Sequence, residues 1–89
     1  MKEFLPVNIS TAATTSVVAT GINCEVHTIN FPKNTAGTVK LVKAGTAISY
    51  ADFPVATVAG TYILDAVCSN GLDIVTSATD AVIATYTKL

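Results

Sequence analysis

The stretch GTYILDAVCSNGLDIVTS (residues 60–77) decides the fold class of this chain. In its first half, Tyr62 and Leu64 fall on one face of an extended strand and Ile63 and Asp65 fall on the other. Residues 69–71, Ser-Asn-Gly, tolerate positive φ and therefore favour a turn. A second β-rich run follows the turn. The stretch predicts two short strands separated by a tight turn.

The rest of the chain also consists of short β-rich runs, separated by turn residues at intervals of about ten residues, as is typical of a sandwich or barrel. Val, Ile and Thr supply 32 of the 89 residues, and side chains branched at Cβ favour a pleated sheet over a helix. We predict an all-β fold, a single small antiparallel β-sandwich, with the jelly roll as one topology open to it. The predicted strands are residues 4–10, 14–20, 24–31, 38–43, 48–55, 60–67, 72–77 and 81–87.

Alternation along each strand also predicts which side chains share a face. In the run 24–31 we expect Cys24 and Val26 on one face, and His27, Ile29 and Phe31 on the other. The main packing residues should include large aliphatic side chains from four strands. These are Leu41, Ile63, Leu64, Ile74 and Ile83.

The composition restricts the range of partners. Hydrophobic residues make 51% of the chain and charged residues 12%, against about 25% charged residues in an ordinary domain. The net charge is -1 and Arg is absent, which argues against binding to a nucleic-acid backbone. A domain of this size buries roughly 60–65% of its unfolded surface and is only marginally stable alone. We therefore expect a protein partner, including further copies of this chain.

The sequence also predicts the cellular compartment. Residues 1–6, MKEFLP, lack the apolar core of a signal peptide, and we find no apolar run of the 18 or more residues that a membrane span needs. We expect a chain that is made and kept in a cytoplasm and has no membrane partner. Cys24 and Cys68 are then expected as buried, reduced thiols rather than as a disulfide or metal ligands.

No group of residues in the sequence predicts catalysis. His27 is the only histidine, no serine lies in a nucleophile-elbow pattern, and Cys24 is expected on the opposite face of the same strand. Asp65, Asp73 and Asp80 do not follow the oxygen spacing of a calcium loop and are expected to form a solvated rim. We predict no enzymatic activity, no cofactor, no metal site and no small-molecule substrate.

Residues 1–10 allow two interpretations. Pro6 lacks an amide donor and is excluded from a central strand. The segment is either an extended attachment arm, which adds to the edge of a neighbouring sheet, or the first strand at the edge of the protein's own sandwich. Residues 11–89 form the β-sandwich domain in both cases. The apolar side chains that an arm would present to its partner are Phe4, Leu5, Val7 and Ile9.

Several segments together resemble a known group of proteins. They are residues 21–30 (GINCEVHTIN), 37–42 (GTVKLV), 60–62 (GTY), 70–77 (NGLDIVTS) and 81–86 (AVIATY). These segments look like the small all-β virion proteins of tailed bacteriophages, in which a Gly-Leu-x-Val/Ile-x-Thr strand precedes a terminal hydrophobic strand that ends near Tyr. The resemblance covers most of the chain from about residue 21. The chain departs from that pattern in its two cysteines and its lack of Arg.

The resemblance implies a capsid decoration (cement) protein, made in the host cytoplasm and located on the capsid surface of the virion. Its partner would be the major capsid protein, bound by a homotrimer at three-fold points of the lattice, with Phe4, Leu5, Val7 and Ile9 as the capsid-binding residues. The low charge agrees with a life in a symmetric shell. Two alternatives stay open: a tail or head-fibre structural subunit or host-surface binding module, and a small hydrolase or lyase.

Overall fold

The computed structural model describes residues 3–89, and this part of the chain forms eight β-strands and no helix. The prediction of an all-β fold is confirmed. Each strand coincides with a predicted run, and the ends differ by at most two residues. In chain order the strands are β1 (Leu5–Ile9), β2 (Thr14–Val18), β3 (Cys24–Phe31), β4 (Val39–Val42), β5 (Ser49–Phe53), β6 (Gly60–Cys68), β7 (Leu72–Thr76) and β8 (Val82–Lys88).

The strands form two four-stranded antiparallel sheets, with the orders β1-β8-β3-β6 and β2-β7-β4-β5. Only β4 and β5 are consecutive strands of one sheet, and every other connection crosses from one sheet to the other. This order is that of an eight-stranded jelly roll. The predicted sandwich is confirmed, and of the topologies open to it the jelly roll is the one present.

The core fills the space between the two sheets with β-branched and aliphatic side chains. Phe31 adds an aromatic cluster, because its ring lies 5.1 Å from that of Phe53 and 5.8 Å from that of Tyr62, measured between centroids. Leu41 and Ile74 are fully buried, as predicted, and Leu64 packs against the core from β6. The largest fully buried side chains are Phe31, Ile29, Leu41, Leu72, Ile74, Val18, Val26, Val39 and Val82.

Two of the predicted packing residues lie outside the core. Ile63 is 70% exposed, because β6 turns its even-numbered side chains inward and Ile63 follows one of them. Ile83 is half-buried and lies between the buried Val82 and Ala84 of β8. Successive side chains of a strand point to opposite faces, so hydrophobicity alone misassigned both isoleucines.

A β-bulge in β3 corrects a second expectation. His27 is an extra residue on β3 relative to β8, since Val26 pairs with Tyr86 and Thr28 pairs with Thr85. An extra residue reverses the alternation beyond it. The prediction that Cys24 and Val26 face away from Ile29 and Phe31 is therefore wrong. All four of these apolar side chains are buried in the core.

Within the N-terminal segment, residues 5–9 form the edge strand β1 of the protein's own sandwich, and residues 1 and 2 lie outside the described part of the chain. Leu5 pairs with Tyr86 and Ile9 pairs with Val82 on the antiparallel neighbour β8. Pro6 has no backbone N–H to donate. An edge strand tolerates this, because no hydrogen bond is lost from a ladder in the centre of the sheet. Of the two interpretations that the sequence left open, the structure contains the edge strand.

Two aspartates that were expected at a solvated rim are buried. Asp80 is 9% exposed and accepts hydrogen bonds from the backbone amides of Ala36 (2.8 Å) and Gly37 (3.0 Å). Asp73 is also 9% exposed and accepts one from the backbone amide of Gly45 at 3.1 Å. Both carboxylates satisfy backbone N–H groups of neighbouring connections, which explains why they can be buried.

Candidate interaction surface

The exposed face of the β1-β8-β3-β6 sheet, here called the outer face, is the candidate interaction surface. On its edge strand β6, Ile63 is 70% exposed and Val67 is 62% exposed. These two side chains point the same way and lie about 13 Å apart along the strand. Asp65 lies between them on the same face. The outer face therefore presents two large apolar side chains with a carboxylate between them.

The carboxylate of Asp65 contacts a side chain of the neighbouring strand. Its Oδ1 contacts Nδ1 of His27, and both side chains are partly exposed. The contact lies at a bulge in β6, where two residues of β6 stand opposite His27 and the backbone of Asp65 adopts a φ of 45°. Bulges redirect side chains, and here the bulge places a carboxylate beside the only imidazole of the chain.

Phe4 covers the imidazole of His27 from the N-terminal side of β1. The two rings are stacked, with centroids 4.8 Å apart and an interplanar angle of 29°. The contact ties the segment that precedes β1 to the centre of the sheet. Cys24 is fully buried in the core, while His27 lies on the outer face, so no Cys–His pair of the kind used in nucleophilic catalysis forms here.

Threonine side chains form a second feature of the outer face. The hydroxyls of Thr28 and Thr85 are 2.7 Å apart on neighbouring strands, and the backbone amide of Thr28 donates to Thr85 Oγ1 at 3.1 Å. On the other side of β3, Asn30 Nδ2 donates to Thr61 Oγ1 at 2.7 Å. Because these polar groups already bond to one another, a partner can cover them at a lower desolvation cost than it would pay for free charges.

The two sheets carry different charged residues. The outer face carries the carboxylates of Glu25 and Asp65, the latter in contact with His27. On the other sheet, Lys40 of β4 is exposed and lies opposite the exposed Asp52 of β5. Lys33 and Lys43 lie in the connections on either side of β4.

The structure separates the four apolar residues that were predicted to bind a partner. Ile9 is buried and Val7 packs partly buried against the core. Leu5 is 52% exposed at the start of β1, and Phe4 lies on His27. The four do not form one exposed surface.

Sequence reasoning missed Ile63 and Val67 as surface residues. The alternation of β6 places them with Asp65 on one face, and that carboxylate marks the face as exposed. This signal was available in the sequence, but the size of the Ile63 side chain favoured the opposite interpretation.

Cys24 and Cys68 are free, buried thiols, in agreement with the prediction. Burial raises the pKa of Cys24, although a hydrogen bond with Cys68 acts in the opposite direction. Burial and the neighbouring Cys24 raise the pKa of Cys68 to about 12. Both groups are therefore protonated at neutral pH and poor nucleophiles.

Within residues 3–89, no three His, Cys, Asp or Glu side chains come together as a metal site. No helix in this part of the chain is long and apolar enough to cross a membrane. Comparison with models of known protein families gives no match, and comparison with curated proteins gives no significant match.

Proposed function

We propose that this chain is a structural virion protein that binds the outer surface of a phage capsid and stabilises its lattice as a decoration (cement) protein, without catalysis. The resemblance of residues 21–86 to small virion proteins of tailed phages supports this proposal. The structural observation that carries it is the outer face, where Ile63 and Val67 are exposed on a sheet whose threonines bond to one another.

Three physical properties of the outer face suit binding to a capsid surface. A four-stranded sheet holds its side chains in fixed positions, so little conformational entropy is lost when a partner covers it. Exposed apolar side chains next to polar groups give this face the mixed composition that is typical of protein interfaces. The carboxylate of Asp65, between the two apolar side chains, favours contact with lysine or arginine side chains of the lattice.

We further propose that the protein acts as a homotrimer at three-fold points of the lattice, where it bridges neighbouring capsomers. The support is the small core of an 89-residue chain, which gains stability from partner subunits. Symmetric association also repeats the same apolar surface several times on one lattice and thereby adds avidity.

The experiment measures binding to capsids that lack decoration, assembled from the major capsid protein of the same phage genome. Co-sedimentation of the parent protein is compared with that of the double variant Ile63→Lys and Val67→Lys. A matched control places two lysines on the exposed positions Thr14 and Ser16 of β2, in the opposite sheet. We expect the Ile63/Val67 variant to lose at least about tenfold in affinity and the control to bind like the parent.

Two outcomes would contradict this proposal in different ways. A parent protein that does not bind the capsids would reject the decoration function. A parent and an Ile63/Val67 variant that bind equally well would reject the outer face as the contact surface. Circular dichroism of both variants tests whether they keep the β-sandwich.

The second candidate function is a tail or head-fibre structural subunit or host-surface binding module. Jelly-roll domains occur in lectins as well as in capsids, so the fold favours neither role over the other. A sugar site usually offers exposed aromatic rings, whereas Phe31, Phe53 and Tyr62 of this chain contact one another inside the molecule. Co-sedimentation with purified tails and with host cells distinguishes these roles from decoration.

A further inference from the structure

We propose that Cys24 and Cys68 form a redox switch: they are two free thiols in a reducing compartment and form an intramolecular disulfide in an oxidising one. This inference does not depend on the proposed function. It rests on the pairing of the two cysteines across neighbouring strands, on their position at strand ends, and on thiol–disulfide exchange.

The register of the sheet places the two cysteines directly opposite each other. Cys24 pairs with Cys68 in the antiparallel ladder between β3 and β6, and both side chains are fully buried. The two side chains are close enough for each to influence the pKa of the other, and the Cys68 sulfhydryl donates to the carbonyl oxygen of Ala66 at 3.9 Å. Opposed residues of an antiparallel pair have Cα atoms about 4.5–5.5 Å apart, within the range of about 4.4–6.8 Å that a disulfide spans. Directly opposed positions of an antiparallel pair therefore suit the spacing that a disulfide needs.

The pair lies where a local opening can reach it. Cys24 is the first residue of β3 and Cys68 is the last residue of β6, a strand at the edge of its sheet. The turn after Cys68 is held by the Tyr50 hydroxyl, which donates to the carbonyl oxygens of Ser69 (2.5 Å) and Gly71 (3.3 Å). Release of this turn exposes the sulfurs without separation of the two sheets, since strand ends open at a lower free energy than whole domains.

The oxidant is a low-molecular-weight disulfide, RSSR. Burial raises the pKa of both thiols, so a local opening or an alkaline pH promotes the ionisation that starts the reaction. The Cys24 thiolate attacks RSSR, forms a Cys24–SR mixed disulfide and releases RS⁻, which takes up a proton. Cys68 then loses its proton, attacks the Cys24 sulfur and releases the second RS⁻. Two protein thiols and RSSR thus give one protein disulfide and two RSH, with two electrons transferred to RSSR.

The Cys24–Cys68 disulfide would join the central strand β3 covalently to the edge strand β6. Because a disulfide restricts the unfolded chain, it raises the stability of the folded state when it fits the native geometry. Cytoplasmic reductants keep such thiols reduced, whereas extracellular conditions favour the disulfide. The chain would therefore be more resistant to unfolding after release from a cell than inside it.

The test uses the full-length protein with oxidised glutathione at mildly alkaline pH. Alkylation followed by intact mass spectrometry counts the free thiols, and non-reducing electrophoresis separates intramolecular from intermolecular bonds. We expect the oxidised protein to run as a single chain on the non-reducing gel and to have no alkylatable thiols. Its urea midpoint should be higher than that of the reduced protein, and dithiothreitol should reverse both changes. Cys24→Ala and Cys68→Ala provide the controls, and each should form no more than a mixed disulfide.

The thiol count of the parent protein decides the matter even if an alanine variant fails to fold. Thiols that stay alkylatable after prolonged oxidation under native conditions would overturn the proposal. Disulfides found only between chains would also overturn it, and so would an oxidised form with an unchanged or lower urea midpoint.

Discussion

His27 contacts the carboxylate of Asp65 at the point where β3 and β6 both depart from regular pairing. His27 is the extra residue of β3 relative to β8, and Asp65 has a φ of 45° in a bulge of β6. A non-glycine residue in the left-handed region costs free energy, though aspartate tolerates this conformation better than most. This side-chain contact accordingly forms where both strands depart from regular pairing.

The first prediction concerns the strength of this contact. In a double-mutant cycle of His27→Ala and Asp65→Ala, we expect a coupling free energy of about 0.2–1 kcal/mol, the range for exposed ion pairs. Urea unfolding of the parent and the three variants measures it. Single-variant effects that add without coupling would show that the contact contributes nothing to stability.

The bulge also explains which part of the fold the sequence predicts. Strand positions follow from β-branched runs and turn residues, and all eight are correct to within two residues. The faces of β6 follow from alternation, since Tyr62 and Leu64 point inward and Ile63 points outward. The faces of β3 cannot be predicted in this way, because one extra residue, His27, reverses the alternation and no local sequence signal marks it. The position of this bulge is determined by the pairing of β3 with β8, which lies more than fifty residues away in the chain.

The candidate surface was only partly predictable for a similar reason. The sequence identifies Phe4 as an apolar residue near the N-terminus, but its contact with His27 depends on the pairing of β1 with β8 and of β8 with β3. The burial of Asp80 likewise depends on two backbone amides that lie more than forty residues earlier. Contacts between distant segments come from topology, which local patterns do not contain.

The second prediction tests the core. Leu41→Ala or Ile74→Ala should lower the free energy of unfolding by about 2–5 kcal/mol, because each removes a fully buried aliphatic side chain. Ile63→Ala is the matched control, since Ile63 is 70% exposed and should change stability by no more than about 0.5 kcal/mol. Urea unfolding compares the three variants. A large loss for Ile63→Ala in the monomer would show that this side chain packs in the core after all.

The third prediction compares two glycines with positive φ. A Cβ at Gly71 would lie 2.6 Å from the carbonyl oxygen of Ala19 and 2.7 Å from that of Val18, whereas a Cβ at Gly45 meets nothing within 4 Å. Gly45→Ala should cost about 1–2 kcal/mol from backbone strain alone. Gly71→Ala should cost more than about 3 kcal/mol, because a backbone segment must also move. Thermal unfolding ranks the two variants, and equal losses would contradict the close approach at Gly71.

The fourth prediction concerns the buried carboxylate of Asp80. Asp80→Ala leaves the amides of Ala36 and Gly37 without their acceptor, at a cost of about 1–3 kcal/mol for each unsatisfied group. Asp80→Asn keeps one acceptor oxygen but turns its NH2 donor towards the other backbone amide, so it should also lose stability. Asp52→Ala, at an exposed position of β5, serves as the control and should change little. Equal stability of the Asp80→Ala and Asp52→Ala proteins would refute this role.

The last prediction is a loss of stability at alkaline pH. Burial and the nearby Cys24 raise the pKa of Cys68 from 9.0 to about 12, and burial also raises the pKa of Cys24. The folded state therefore holds these protons more tightly than the unfolded state. The stabilisation is fully present below pH 9 and declines as the pH rises from about 9 towards about 12. Urea unfolding of the reduced protein at increasing pH measures this slope.

The double variant Cys24→Ala and Cys68→Ala provides the control for the alkaline slope. It should lack the decline that begins near pH 9, and because truncating both thiols removes core atoms it should be less stable than the parent at neutral pH. Tyr50 also has a pKa raised above 10.0, chiefly by burial and further by the two cysteines. The variant should therefore keep only a weaker decline that starts about one pH unit higher, as the unfolded tyrosine begins to ionise. A parent and a double variant with the same pH dependence would show that the thiols titrate alike in the folded and unfolded chains.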